Sequence, residues 1–144
     1  MFQLNRKVEY ALAIVAFMAR RQGGELHSAR SIAEATHIPF DMVTKCLQRL
    51  HKGSMCEAVQ GKHGGYRLTM DLDKQSLGDF ICAVFAPIAV ADCIAKEGQS
   101  DCQLLCECEL RDAMSKLNDR IQALLDDMSL AEFLSGSSQP VTEA

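Results

Sequence analysis

The stretch from Ser28 to Thr69 constrains the fold more than any other part of the chain. Ser28 opens the segment SARSIAEA, and a serine there can accept a bond from the orphan N–H groups at a helix start. Thr36-His37-Ile38 reads as a turn. Pro39 suits a first helical position, where its missing N–H costs nothing. From Pro39 to about Lys52 the apolar residues Val43, Cys46, Leu47 and Leu50 fall at i, i+3, i+4 and i+7, which predicts a helix with one buried stripe. Gly53 ends it. The other face carries Asp41, Thr44, Lys45, Gln48, Arg49 and Lys52.

A short helix, a tight turn and a second helix with a basic outer face form a helix-turn-helix pattern. Ordinary packed α proteins show the same pattern, so the next segment decides. Met55 to Gln60 reads as a strand, Gly61 to Gly65 as a glycine-rich turn and Tyr66 to Thr69 as a return strand. A hairpin directly after a helix-turn-helix is the layout of a winged helix. Lys62 and His63 sit at the wing tip with Arg67 nearby, placed to reach phosphates or a minor groove. GKHGG is not a nucleotide-binding loop, because it lacks the G-x-x-x-x-G-K-[ST] frame and no helix follows it. With no nucleophile–base pair either, an enzyme is not expected.

The remaining elements are helical. Residues 3–20 carry Leu4, Val8, Ala11, Leu12, Val15, Phe17 and Met18 near helical spacing, with Arg6, Lys7, Arg20 and Arg21 off that stripe. Ser76 to Phe85 reads as an amphipathic helix in which Ser76 and Asp79 resemble a capping box. The longest helix is predicted from about Leu104 to Met128. Its residues Leu110, Met114, Leu117, Ile121, Leu124 and Met128 alternate steps of four and three, a heptad-like seam suited to pairing with a second copy. Ser129 caps a last short turn, Leu130 to Leu134, and the tail SGSSQPVTEA has the composition of disorder. The expected fold is thus mainly α with a small β-hairpin wing. Its parts are a winged helix-turn-helix domain over 1–85, a cysteine loop over 86–109, a dimerisation helix over 110–134 and a tail over 135–144.

That loop reads CIAKEGQSDCQLLCEC, placing Cys93, Cys102, Cys106 and Cys108 at C-x8-C-x3-C-x-C spacing. Clustered thiolates are soft ligands suited to zinc or an iron–sulfur cluster. Cys46, Cys56 and Cys82 are isolated and read as packed or incidental thiols. Seven cysteines form an odd count in a chain with no signal-peptide layout and no long apolar run. No membrane association is expected, a cytoplasmic location is the default, and the thiols should stay reduced there. Residues 1–70 hold ten Lys/Arg against five Asp/Glu, whereas residues 71–144 hold five against fourteen. The basic front half can meet a polyanion, and the acidic back half is unsuited to one.

Taken together the chain resembles the IscR/NsrR-type winged-helix transcription regulators. The resemblance runs from about Leu4 to Leu134, through VEYAL, SIAEATHI, KCLQRL, QGKHGGYRL, APIAVADC and SLAEFL. Within that family HGGY, PIAVADC and the DC-x5-C spacing look most like regulators of SUF-type iron–sulfur assembly operons. The resemblance implies a homodimer crossed over by the long helix, bound to a palindromic operator in double-stranded DNA. It also implies one 2Fe-2S or 4Fe-4S cluster per subunit, held here by Cys93, Cys102 and Cys108, with Cys106 additional or alternative. The first cysteine interval is longer than in several members. The fourth ligand is implied to be Glu9, reaching across from the partner subunit. Arg111 stands where other members carry a histidine ligand and cannot ligate, and His37 is a weaker possibility. Gln60 stands where many members carry Arg, so the wing contact is expected to be weaker or differently specific.

For DNA contact the candidates are Thr44, Lys45, Gln48 and Arg49 on the reading helix, with Lys62 and His63 on the wing. The expected function is a transcription regulator, of the repressor type, that senses iron, redox or nitric oxide status through its cluster. Two alternatives keep the DNA binding without a cluster. One is structural zinc on Cys93, Cys102, Cys106 and Cys108. The other is a thiol redox switch in which Cys106 or Cys108 resolves a sulfenate.

Overall fold

The computed structural model describes residues 3–21, 24–95, 102–103 and 107–136. Among them the order is α1 (Arg6–Arg20), α2 (Ala29–Thr36), α3 (Phe40–Lys52), β1 (Cys56–Val59), β2 (Gly65–Leu68), α4 (Leu77–Val84), α5 (Asp92–Ala95), α6 (Arg111–Asp127) and α7 (Leu130–Ser135). The contacts divide the chain into two units. One comprises Met1–Asp71 with Ala83–Phe85, and the other Leu72–Cys82 with Ala86–Ala144.

The first unit is built on three helices and the hairpin. Asn5 caps α1 by accepting from the Lys7 N–H at 3.0 Å, and Ser28 caps α2 by accepting from the Ser31 N–H at 3.0 Å. A left-handed His37 (φ 57°) closes α2 and turns the chain toward α3. Pro39 lies one residue outside α3, not at its first position, and its carbonyl accepts from Met42 and Val43. The four predicted apolar residues Val43, Cys46, Leu47 and Leu50 are the buried residues of α3. They share the core with Val8, Ile14 and Val15 of α1 and Ile32 of α2, all fully buried.

The wing is an antiparallel hairpin with Cys56 opposite Leu68, Glu57 opposite Arg67, and Ala58 opposite Tyr66. Arg67 forms an ion pair with Glu57 across it, so its guanidinium is committed to the hairpin. An unforeseen one-residue bridge joins the wing on its other edge: His27 exchanges both backbone bonds with Tyr66, at 2.9 and 2.8 Å. This close approach explains one of the paired glycines, and the tightness of the hairpin turn explains the other. A Cβ on Gly65 would meet the His27 carbonyl oxygen at 2.7 Å, and one on Gly64 would collide with the Val59 carbonyl oxygen. The first strand is one residue shorter at each end than expected, and the second has the expected length but begins and ends one residue earlier.

In the second unit Ser76 caps α4, with its hydroxyl accepting from the Asp79 N–H at 3.0 Å. Ser129 caps α7 in the same way through Glu132 at 3.1 Å. Backbone bonds from Leu77 to Met128 and from Leu130 to Gln75 tie the start of α4 to the junction of α6 and α7. Asn118 on α6 accepts from the Val90 N–H at 3.1 Å, holding the chain just before α5. One expectation needs correcting. The long helix does not run from Leu104: Glu107 to Leu110 are non-helical, and α6 begins at Arg111. Residues 104–106 lie outside the described residues. The physical reason is local. The Arg111 N–H closes a short i→i−3 bond to the Cys108 carbonyl at 3.3 Å, and Leu110, in the cap position, has no side-chain acceptor to offer the helix.

Candidate functional site

The reading helix α3 has the two-faced character that the sequence requires. Its buried stripe packs on α1 and α2, which leaves the opposite face outward. Lys45, Gln48 and Arg49 are exposed and Thr44 is half-buried, its hydroxyl turned back to the Phe40 carbonyl at 2.9 Å. Lys45 pairs with Asp41 one turn earlier at 3.7 Å. An exposed pair of this kind contributes little stability, so the lysine is cheaply redirected to a phosphate. Lys62 and His63 are both exposed on the turn between the strands.

Arg49 has a role that sequence reasoning missed. Its Nη1 donates to the Val84 carbonyl oxygen at 2.6 Å, at the end of α4. A cation at a helix C-terminus meets unsatisfied carbonyls and the negative end of the helix dipole. Lys7 on α1 lies beside this contact, with its ammonium 5.9 Å from the centre of the Phe85 ring. Lys7, Lys45, Arg49 and Lys52 line one cleft of about 360 Å³, together with Gln48, half-buried Met42 and buried Cys46. The signal for Lys7 was its place off the apolar stripe of α1. The Arg49 bond is a tertiary contact with no local signature.

The cysteines fall into two chemical groups. Cys46 and Cys56 are buried, and their Sγ atoms donate to the carbonyls of Lys7 and Leu47. Burial pushes the Cys46 thiol above its ordinary value, partly offset by Arg49 and Lys7, and pushes Cys56 up to about 11. Both are poor nucleophiles and poor ligands at neutral pH. The predicted ligands have a different setting. Cys93 lies on the one-turn helix α5, where a loop was expected, and is half-buried. Cys102 is exposed, and Cys108 is half-buried three residues before α6. Cys106 lies outside the described residues. Cys82 is exposed on α4.

Glu9 is an exposed carboxylate on α1, paired with Arg6 at 3.6 Å. Among the described residues, no three of His, Cys, Asp and Glu converge in a way that would hold a metal within one chain. The donor chemistry nevertheless suits a soft metal or an iron–sulfur cluster, with thiols on partly accessible segments on both sides of residues 96–101.

Comparison with known proteins matches this architecture. A family model described as "Rrf2: Iron-dependent Transcriptional regulator" matches residues 4–136. An HTH-type transcriptional regulator of Haemophilus influenzae is 30% identical over 132 residues, covering 92% of this chain and 86% of that protein. The HTH-type transcriptional repressor NsrR of Streptomyces coelicolor is 30% identical over 141 residues, covering 96% of this chain and 93% of that one. The solved structure of CymR (YrzC), the global cysteine regulator of B. subtilis, superposes with a TM-score of 0.71 at 21% identity. It covers 94% of this chain and 98% of its own, and at that identity it speaks for the fold alone. With the model match spanning nearly the whole chain and a winged helix in place, this protein belongs to the Rrf2 family of DNA-binding transcription regulators, which are not enzymes.

Proposed function

We propose that this protein is a homodimeric regulator whose α3 helices and wings read a palindromic operator, and whose DNA affinity responds to an iron–sulfur cluster held by Cys93, Cys102 and Cys108. The observation that carries the reading is a division of labour between two groups of cysteines. Cys46 and Cys56 are sealed into the core of the DNA-binding unit. Cys93, Cys102 and Cys108 are left partly or wholly accessible on α5 and on the segment that precedes α6. The family description as iron-dependent supports the same reading.

The chain's own residues supply the rest. Thr44, Lys45, Gln48 and Arg49 are the proposed contacts from α3, and Lys62 and His63 those from the wing. The seam of α6 offers the dimer contact: Leu110, Leu117 and Leu124 are exposed apolar residues, and no residue of α6 is buried. Two heads so paired need a separation of about one DNA turn, roughly 34 Å. Glu9 of the partner subunit is the proposed fourth ligand. A carboxylate is a harder and more easily displaced ligand than a thiolate. When bound, the cluster would supply a centre open to oxygen, nitric oxide and iron shortage.

The test is purification without oxygen, with iron and acid-labile sulfide counted per chain alongside a visible spectrum. The proposal expects both elements and a visible chromophore that is lost in C93A, C102A and C108A and kept in C106A. A colourless protein holding one zinc, or one active without any metal, would replace it with the zinc or thiol-switch reading.

A further inference from the structure

We infer that the cleft between α1 and α3 seats a backbone phosphate of DNA, and that Lys7 is a DNA contact supplied from outside the reading helix. The inference rests on the proposed DNA-reading role of α3 and extends it to α1. Four cations line the cleft: Lys7, Lys45, Arg49 and Lys52. Asp41 partly neutralises Lys45 at 3.7 Å, whereas Lys7 and Lys52 form no ion pair among the described residues. Lys7 instead faces the Phe85 ring, and Arg49 spends one donor on the Val84 carbonyl. An arginine has four further N–H donors, and a lysine over a ring keeps its charge. The cleft therefore holds an excess of positive charge with donors to spare.

A backbone phosphate fits this cleft better than a small anionic effector. Enclosed ligand sites present a few convergent buried polar groups that fix orientation. Here the buried polar atom is the Cys46 thiol, and it already donates to the Lys7 carbonyl. What remains is charge at an open rim shared with the exposed face of α3, as a phosphate contact requires. Lys7 also holds two structural positions in the unit. Its carbonyl receives Cys46, and its ammonium covers Phe85, so the side chain is pre-placed beside α3.

The experiment measures affinity for a labelled mixed-sequence duplex of about 30 base pairs, enough for two heads a helical turn apart. The full-length wild type, K7Q, K7R and F85L are compared across a salt series. Each phosphate contact contributes about 0.9 to the slope of log affinity against log salt, so K7Q should lower that slope by about one unit. Its deficit relative to wild type should then shrink by about threefold between 50 and 200 mM salt. K7R and F85L should keep the wild-type slope. An unchanged slope in K7Q overturns the inference, as does an F85L variant that reproduces the K7Q loss, since Lys7 would then act only through packing. Stabilisation of wild type but not K7Q by inorganic phosphate, with the K7Q slope unchanged, would overturn it in favour of a small-anion site. Failure of the wild type to bind any duplex would instead sink the DNA-reading role of α3.

Discussion

Replacing Leu124 with alanine tests the pairing role of α6 with a magnitude fixed in advance. Leu124 is 66% exposed in the single chain, with Leu110 at 61% and Leu117 at 48% on the same seam. Complete burial of a leucine side chain is worth about 1.5–3 kcal/mol, so the part still uncovered here is worth about 1–2 kcal/mol, of which alanine keeps the Cβ share and loses about 1–1.5 kcal/mol. A two-fold interface uses each residue twice. Leu124→Ala should therefore cost the dimer about 2–3 kcal/mol, counted over both copies. That raises the dissociation constant by about 30- to 150-fold. Sedimentation velocity over a dilution series reads this directly. Asp119→Ala serves as the control, because Asp119 is exposed and stands on the side of the heptad away from the seam. Because Leu124 is exposed in the monomer, circular dichroism should show no loss of helix. If the two variants dissociate at the same concentration, or the wild type sediments as a monomer throughout, the seam is not the dimer contact.

Other outcomes follow from the first unit. Gly65→Ala should weaken the protein by about 1–3 kcal/mol in urea unfolding, because its methyl group would press on the His27 carbonyl at the bridge to Tyr66. Ser28→Ala removes the cap of α2 and should cost about 1 kcal/mol, with Ser28→Gly costing less. Cys56 gives a pH dependence of definite sign. Its folded thiol is pushed up to about 11 from an ordinary 9.0, so between those values the unfolded chain loses a proton that the folded chain keeps. Stability should then be full below about pH 9 and decline toward pH 11, and a Cys56→Ala variant should lose that part of the decline. Alkylation at pH 8 should likewise spare Cys56 and reach exposed Cys82.

The helices and caps were largely legible because their determinants are local. Val43, Cys46, Leu47 and Leu50 repeat at helical spacing, and they are the residues that α3 buries. Ser28, Ser76 and Ser129 stand before helices, and each accepts the bond expected of it. The α4 face was read correctly through Leu77, Phe80, Ile81 and Val84. Phe85 falls just past the helix end and is 43% exposed, in the place where Lys7 lies over its ring. What stayed hidden depends on contacts distant in sequence. His27 becomes a bridge partner only because Tyr66 arrives beside it, and Arg49 turns to Val84 across 35 residues. The start of α6 was misplaced because an apolar period continues through Leu104 and Leu110 although the backbone turns at Cys108. For the candidate site, the outward polar face of α3 was legible from its helical period. The cysteine arrangement was legible only as spacing, since ligand convergence depends on how the intervening chain and a second copy are placed.

The central claim is that iron held at these thiols sets the affinity for a two-fold DNA site. Genomic fragments enriched without oxygen by the iron-replete protein should share an inverted repeat with half-sites about one helical turn apart. Affinity for the enriched duplex is then measured before and after chelation of the iron, and again in the C93A/C102A/C108A variant. The account predicts that stripped and variant proteins match each other and differ from the iron-replete form. Equal affinity in all three would contradict it.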